Sequence, residues 1–172
     1  MAPKFLRAAK LILVLFVATG CAESDQQNEF EQQAFSVPEG ITEMTVNGTA
    51  VPGAGDPDDW RISPMFAGFI EVSTPAFPNP VNLNSPLTIN LDIKGIESIS
   101  GLAVFVFRDP DRLVGPIYTN DQTSLSPGLE TITLQPIDFS RTGNPTEVVG
   151  LNRILIFDGR ENLITYGDVE VQ

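Results

Sequence analysis

Between Leu87 and Lys94 the chain alternates without exception: Leu87, Ile89, Leu91 and Ile93 are apolar, while Thr88, Asn90, Asp92 and Lys94 are polar. A period of two puts each set on its own face of a pleated strand, so this segment predicts a strand half-buried against a core. The surrounding sequence extends the constraint. Leu102 to Phe107 and Ile154 to Phe157 are apolar throughout, as expected of central strands covered on both faces. Met65 to Thr74, Val114 to Thr119, Leu129 to Leu134, Leu163 to Tyr166 and Asp168 to Val171 are further strand candidates. Asp109-Pro110-Asp111, Ser126-Pro127-Gly128 and Asn144-Pro145 supply turns between them. Beyond residue 21 no segment carries a helical period. Val104 to Asp109 with Leu113 to Tyr118 echoes Ile154 to Gly159 with Leu163 to Tyr166, each a hairpin with a charged tip. The expected fold is all-β, a sandwich of about seven or eight strands over residues 64–172.

The first 21 residues are built differently. Lys4, Arg7 and Lys10 form a basic start, Leu11 to Val17 an apolar run, and Ala18-Thr19-Gly20-Cys21 a small-residue site ending in cysteine. The apolar run is about half as long as the ~20 residues a spanning helix needs. This pattern resembles a bacterial lipobox, which has a branched residue where Ala18 stands. The resemblance implies a signal peptide over residues 1–21, cleavage after Gly20, and lipidation of Cys21. Two or more acyl chains would hold the domain stably on a membrane. Glu23 and Asp25 directly after that cysteine resemble the surface-export signals of Bacteroidota-type lipoproteins. The expected location is the outer membrane, lipid-anchored and exposed at the cell surface.

Residues 22–63 read as a flexible tether with a small hairpin. Ala22 to Glu39 is rich in Gln, Glu, Asp, Asn and Ser, and a coil of that length spans roughly 25 Å. Asn47-Gly48 between Ile41–Val46 and Thr49–Val51 suits a type I′ turn, which needs positive φ at both central residues.

Charge and composition exclude several functions. All 22 acidic residues lie after Cys21 with only seven basic ones, Lys94 and six arginines, so the mature part carries about 7 − 22 = −15. Nucleic acid and anionic lipid are poor partners for that surface. Without histidine, Ser-His-Asp and Cys-His nucleophiles and His-bearing metal sites are ruled out. Cys21 is the only cysteine, so no intrachain disulfide can form. Paired acids occur at Asp56/Asp58/Asp59, Asp109/Asp111 and Glu161/Asp168, each in a turn-like context. There acids usually bond to local backbone or face water. Calcium between the first two sets is the metal-binding reading, and solvated loops the simpler one. Arg61, Arg108, Arg112, Arg141, Arg153 and Arg160 form no run and are expected to pair with surface carboxylates, weakly. No cofactor or metal site is expected.

Phe77-Pro78-Asn79-Pro80, the alternating strand, an apolar strand ending in Arg108-Asp109, Arg112-Leu113-Val114, and Ser126-Pro127-Gly128 before Ile132-Thr133-Leu134 form a series. It is similar to the Ig-like type IX secretion sorting domains of Bacteroidota and to their relatives in flagellar hook-capping proteins. The resemblance covers about residues 75 to 172 and implies an Ig-like β-sandwich. It departs at Gly150-Leu151-Asn152-Arg153, where the families carry Gly-x-Tyr. A lipid-anchored protein has no need of a sorting step, so only the fold is carried over.

The expected function is that of a non-enzymatic, lipid-anchored envelope lipoprotein acting as a structural or interaction module, its partner an envelope protein. The alternative is a glycan-binding surface lipoprotein of a nutrient-uptake complex, with Trp60 as the stacking ring beside Asp58, Asp59 and Arg61. The competing reading of Trp60 is a plug at one end of the sandwich. A carboxylate-dependent hydrolase is the least supported class.

Overall fold

Seven strands carry the fold: β1 (Ile70–Phe77), β2 (Leu87–Ile93), β3 (Leu102–Phe107), β4 (Leu113–Asn120), β5 (Gly128–Leu134), β6 (Gly150–Asp158) and β7 (Leu163–Val171). They are seen in a computed structural model that describes residues 25–94, 99–109, 112–122 and 124–172. The signal segment, Cys21 and Asp111 lie outside the described residues. One sheet has the order β1-β2-β5 and the other β4-β3-β6-β7, with every neighbour antiparallel. The expected Ig-like sandwich is present, with the fourth strand beside the third rather than beside the fifth, where constant-type Ig domains place it.

The alternation read from Leu87 to Lys94 is realised in β2, whose apolar residues are buried and whose polar residues are half-exposed. Leu102, Val104 and Val106 of β3 meet Ile154 and Ile156 of β6 and the β2 residues in one core between the sheets. Phe105, Phe107, Leu155 and Phe157 point to the other face of the four-stranded sheet. Three expectations were displaced. The first strand starts at Ile70, because Pro64 opens a short 3-10 helix (Pro64–Phe66) and Gly68 takes a positive φ of 83°. Leu163–Tyr166 and Asp168–Val171 are one continuous strand. Gly167 does not break it, because the Trp60 indole lies against its Cα and occupies the space a side chain would need. At Asn47-Gly48 only Gly48 has positive φ, with Thr45 N–H bonded to Thr49 O and Gly48 N–H to Thr45 O. The hairpin there is a three-residue loop of the type I plus left-handed kind, not a type I′ turn.

The largest departure is in residues 22–63. Residues 25–34 form a helix, α1, and the stretch that follows is bonded to the sandwich. Phe30 and Ala34, four apart and so on one helix face, are buried against Phe107, Leu155, Leu163 and Tyr166. Two apolar contact residues in a polar decapeptide give too weak a period to be seen in sequence, and tertiary burial supplies what propensity lacks.

The following segment completes the edge of β7. Ser63 and Trp60 donate backbone N–H to Ile164 O and Tyr166 O, both at 2.8 Å. Farther along, Val81 donates to Glu170 O at 2.8 Å and accepts from Gln172 N–H at 2.9 Å. In the gap two side chains stand in for backbone. Asp59 Oδ1 accepts the Asp168 N–H at 2.8 Å, while Asn79 donates to Asp168 O at 2.9 Å and accepts from Glu170 N–H at 3.0 Å. A sheet edge that would otherwise template pairing with another chain is closed.

Candidate functional site

The most elaborate polar cluster sits where α1 meets β6 and β7. Arg153 and Asp168 are register partners on these strands and face α1. Arg153 Nε and Nη2 donate to Asp168 Oδ1 and Oδ2 at 2.6 and 2.7 Å, a bidentate pair with both residues buried. The remaining nitrogen, Nη1, donates to Gln33 O at 2.7 Å, Ser36 O at 3.0 Å and Ser36 Oγ at 3.1 Å. Those carbonyls belong to the last turn of α1 and the residues after it, which have no partner within a helix. A buried cation therefore caps the helix at its negative end. The guanidinium lies 4.9 Å from the centre of the Tyr166 ring, which packs on Phe30 at 5.1 Å. Arg61 donates to the Tyr166 hydroxyl at 2.8 Å and to Gln33 Oε1, tying the same helix from the other side.

A second, half-buried carboxyl lies next to this pair. Asp59 Oδ2 accepts Thr42 N–H at 2.8 Å, and its other oxygen accepts Asp168 N–H. Burial pushes the Asp59 carboxyl up to about 7; the two backbone N–H bonds oppose this, and the neighbouring Asp168 and Asp56 charges add to it. Burial also pushes the Asp168 carboxyl above its ordinary value, with the Arg153 guanidinium pulling against it. The buried guanidinium pairs with Asp168, and among the described residues the half-buried Asp59 has no cation of its own. A cavity of about 130 Å³ opens between these groups and Ser36, Glu39 and Asp56. Its chemistry is structural, because both oxygens of Asp59 and of Asp168 are already committed to hydrogen bonds inside the fold. Arg153, expected as a weak surface partner, is the centre of this cluster. Register placed it there, and no sequence pattern announces a buried charge.

A different opening lies on the other half of the same sheet face. Ala103 and Phe105 of β3, Leu113 of β4 and Phe157 of β6 floor a groove of about 560 Å³. Phe105 and Phe157 meet edge to face at 5.5 Å, both half-exposed. Asn120 and Gln122 stand at its rim. The volume and the apolar floor with few polar groups are those of a small-ligand site. The hairpin echo between β3–β4 and β6–β7 hints at two such aromatic strands, but not at their proximity.

The sequence-predicted site residues fare differently. Trp60 is 6% exposed and has a φ of 59°, held by the Tyr166 bond and by packing on Gly167. An unfavourable backbone geometry for a bulky residue persists only where its surroundings enforce it. Of the two readings of Trp60, the core plug is the one the structure has, and the alternative stacking role is corrected: the ring has no open face for a sugar. Among the described residues no three acids are grouped to hold a metal ion. Asp56 Oδ1 accepts the Asp58 N–H in a local turn, and Asp109 lies beside Arg112. Asp168 and Glu161 do not act as a pair, since Asp168 is taken by Arg153.

No family model matches the chain, and no curated protein matches it. A solved structure described as the structure of T. fusca AA10A aligns at 13% identity with a TM-score of 0.36, over 54% of this chain and 51% of that one. The chain thus matches about half the length of that structure, at a similarity too low to support any further statement.

Proposed function

We propose that this chain is a non-enzymatic, lipid-anchored envelope module in which α1 holds the sandwich close to the membrane in one orientation. What supports this is the seating of α1, whose described residues start at Asp25 and whose end is capped by the buried Arg153. Gln27 accepts a hydrogen bond from Met65 N–H at 3.2 Å, and residues 33–36 reach Arg153. From residue 25 onward the helix therefore runs from the β6–β7 turn end along β7. Asp25 is four residues along the chain from Cys21, so it lies within about 14 Å of the anchor. The β6–β7 turn would face the membrane, and the 108–112 and 139–149 loops would face away from it. Exposed loops on a rigid scaffold are the natural contact surface for an envelope partner.

Replacing Cys21 by Ala tests the anchor. Loss of labelled fatty acid and release from the membrane fraction are expected, and unchanged fractionation would overturn the proposal. Crosslinking in intact cells, followed by identification of what co-purifies, tests for an envelope protein partner.

The groove supports a second reading, a glycan-binding lipoprotein. Phe105 and Phe157 would offer an aromatic floor, with Asn120 and Gln122 for hydroxyl groups. Sugar affinity that disappears in Phe157→Ala but persists in a Trp60→Phe variant would favour it over the first.

A further inference from the structure

Half of the arginines of the mature chain come together at the end of the sandwich opposite the β6–β7 turn. Arg108 follows β3, Arg112 precedes β4 and Arg141 follows the 3-10 helix Pro136–Phe139. All three line a cavity of about 190 Å³ floored by Val106, Val114 and Phe139. In a chain whose mature part carries seven basic and 22 acidic residues, this is a concentration of positive charge against the general field.

Among the described residues, Arg108 and Arg141 are positioned by backbone carbonyls and not by carboxylates. Arg108 donates through Nη1 to Glu147 O and through Nη2 to Val149 O, and Arg141 donates to Leu113 O at 2.6 Å. Carbonyl acceptors orient a guanidinium and leave its charge in place. Among the described residues neither Arg108 nor Arg141 forms an ion pair, and Arg112 Nε is 3.9 Å from Asp109 Oδ2 with both side chains nearly half-exposed. Each arginine has five N–H donors, so most of the donors around the cavity are available. The one acid in the wall, Glu147, is held by the Ser140 and Thr142 hydroxyls at 2.6 and 2.7 Å, which keep its carboxyl below the usual range. Among the described residues, three cations stand against Glu147 in the wall and Asp109 beside Arg112.

We propose that this cavity binds a small organic carboxylate, its anionic group on the Arg112 and Arg141 guanidiniums and its apolar body against Phe139, Val106 and Val114. A planar carboxylate matches the guanidinium fork in two parallel bonds. The apolar floor separates an organic acid from a bare inorganic anion. The surrounding negative charge turns away polyanions such as nucleic acid, while a compact monoanion meets mainly the local field. The site is independent of the lipid anchor.

The test is calorimetric and NMR titration of the purified full-length chain with benzoate, benzamide and inorganic phosphate, at low and high salt. Benzoate should bind and weaken with salt, and benzamide, its uncharged counterpart, should bind at least about tenfold more weakly, as expected when charge-assisted bonds are lost. Phosphate should be weaker than benzoate. Arg112→Gln with Arg141→Gln should reduce benzoate affinity about tenfold or more at unchanged fold. Arg112→Gln alone keeps the test open if the double variant does not fold, since that side chain makes no hydrogen bond among the described residues. No benzoate binding at 10 mM (roughly 2.7 kcal/mol of affinity), equal binding of benzamide, phosphate binding as tight as benzoate, or affinity unchanged in the variants would each overturn the proposal.

Discussion

The outer face of the four-stranded sheet has two halves built from similar residues and finished in opposite ways. Over β6 and β7, Leu155, Leu163 and Tyr166 are sealed under Phe30 and Ala34 of α1. Over β3 and β4, Ala103, Phe105 and Leu113 floor an open groove together with Phe157. The apolar face alone does not decide which half is covered. What differs is the buried charge: Arg153 and Asp168 sit on the sealed half, and the cation is aimed at the carbonyls that end the helix. A hydrophobic face attracts cover without direction, whereas a capped helix end fixes where the cover stops. The contrast also separates the two readings of function, since the sealed half serves orientation and the open half is where a ligand could settle.

The sharpest way to break this contrast is Arg153→Ala. It leaves the Asp168 carboxylate buried without its partner and uncaps α1, for an expected loss of about 4 kcal/mol, with residues 25–34 losing amide-exchange protection first. A smaller loss with α1 still protected would mean that apolar contact alone holds the helix. Phe30→Ala comes next. It removes the main apolar contact of the helix at about 3 kcal/mol, and a chemical denaturation midpoint reads it. On the open half, Phe157→Ala should cost about 1 kcal/mol, because the ring is already partly solvated and no closed cavity forms. A loss equal to that of Phe30→Ala would show the groove to be closed in solution.

A pH profile reads the second carboxyl of the sealed half. The Asp59 carboxyl titrates near 7 in the fold against 3.8 in the unfolded chain. Between these values the folded state holds more protons, so the Asp59 contribution to stability declines as pH rises from about 4 to about 7 and is level above. Denaturation series at pH 5 and 7.5 should show this decline, and Asp59→Asn should remove it. An unchanged slope in the variant would place the titrating group elsewhere.

Most strands were legible from local pattern. β3 has the bounds its apolar run suggests, and β2 follows its strict alternation, because a strand's two faces are written at alternate residues. The failures are also local in origin. α1 was hidden because its buried face is two residues in a polar segment. Trp60 among charges stood open between a stacking ring and a core plug, because its partner is Gly167, a contact across more than a hundred residues. Arg153 and Asp168 looked like ordinary surface charges because nothing adjacent to either shows that the other strand will place its counter-ion opposite.

The sequence by itself determined the fold class, the strand set and the absence of histidine or thiol-pair chemistry, since these depend on short-range periodicity and on which side chains exist at all. Tertiary structure decided what covers the sheet, which acid receives the one buried guanidinium, how Asp59 and Asn79 close the β7 edge, and which arginines share a cavity. Those outcomes depend on register between distant strands, where a shift of one residue would turn Arg153 from the helix-facing surface into the apolar core.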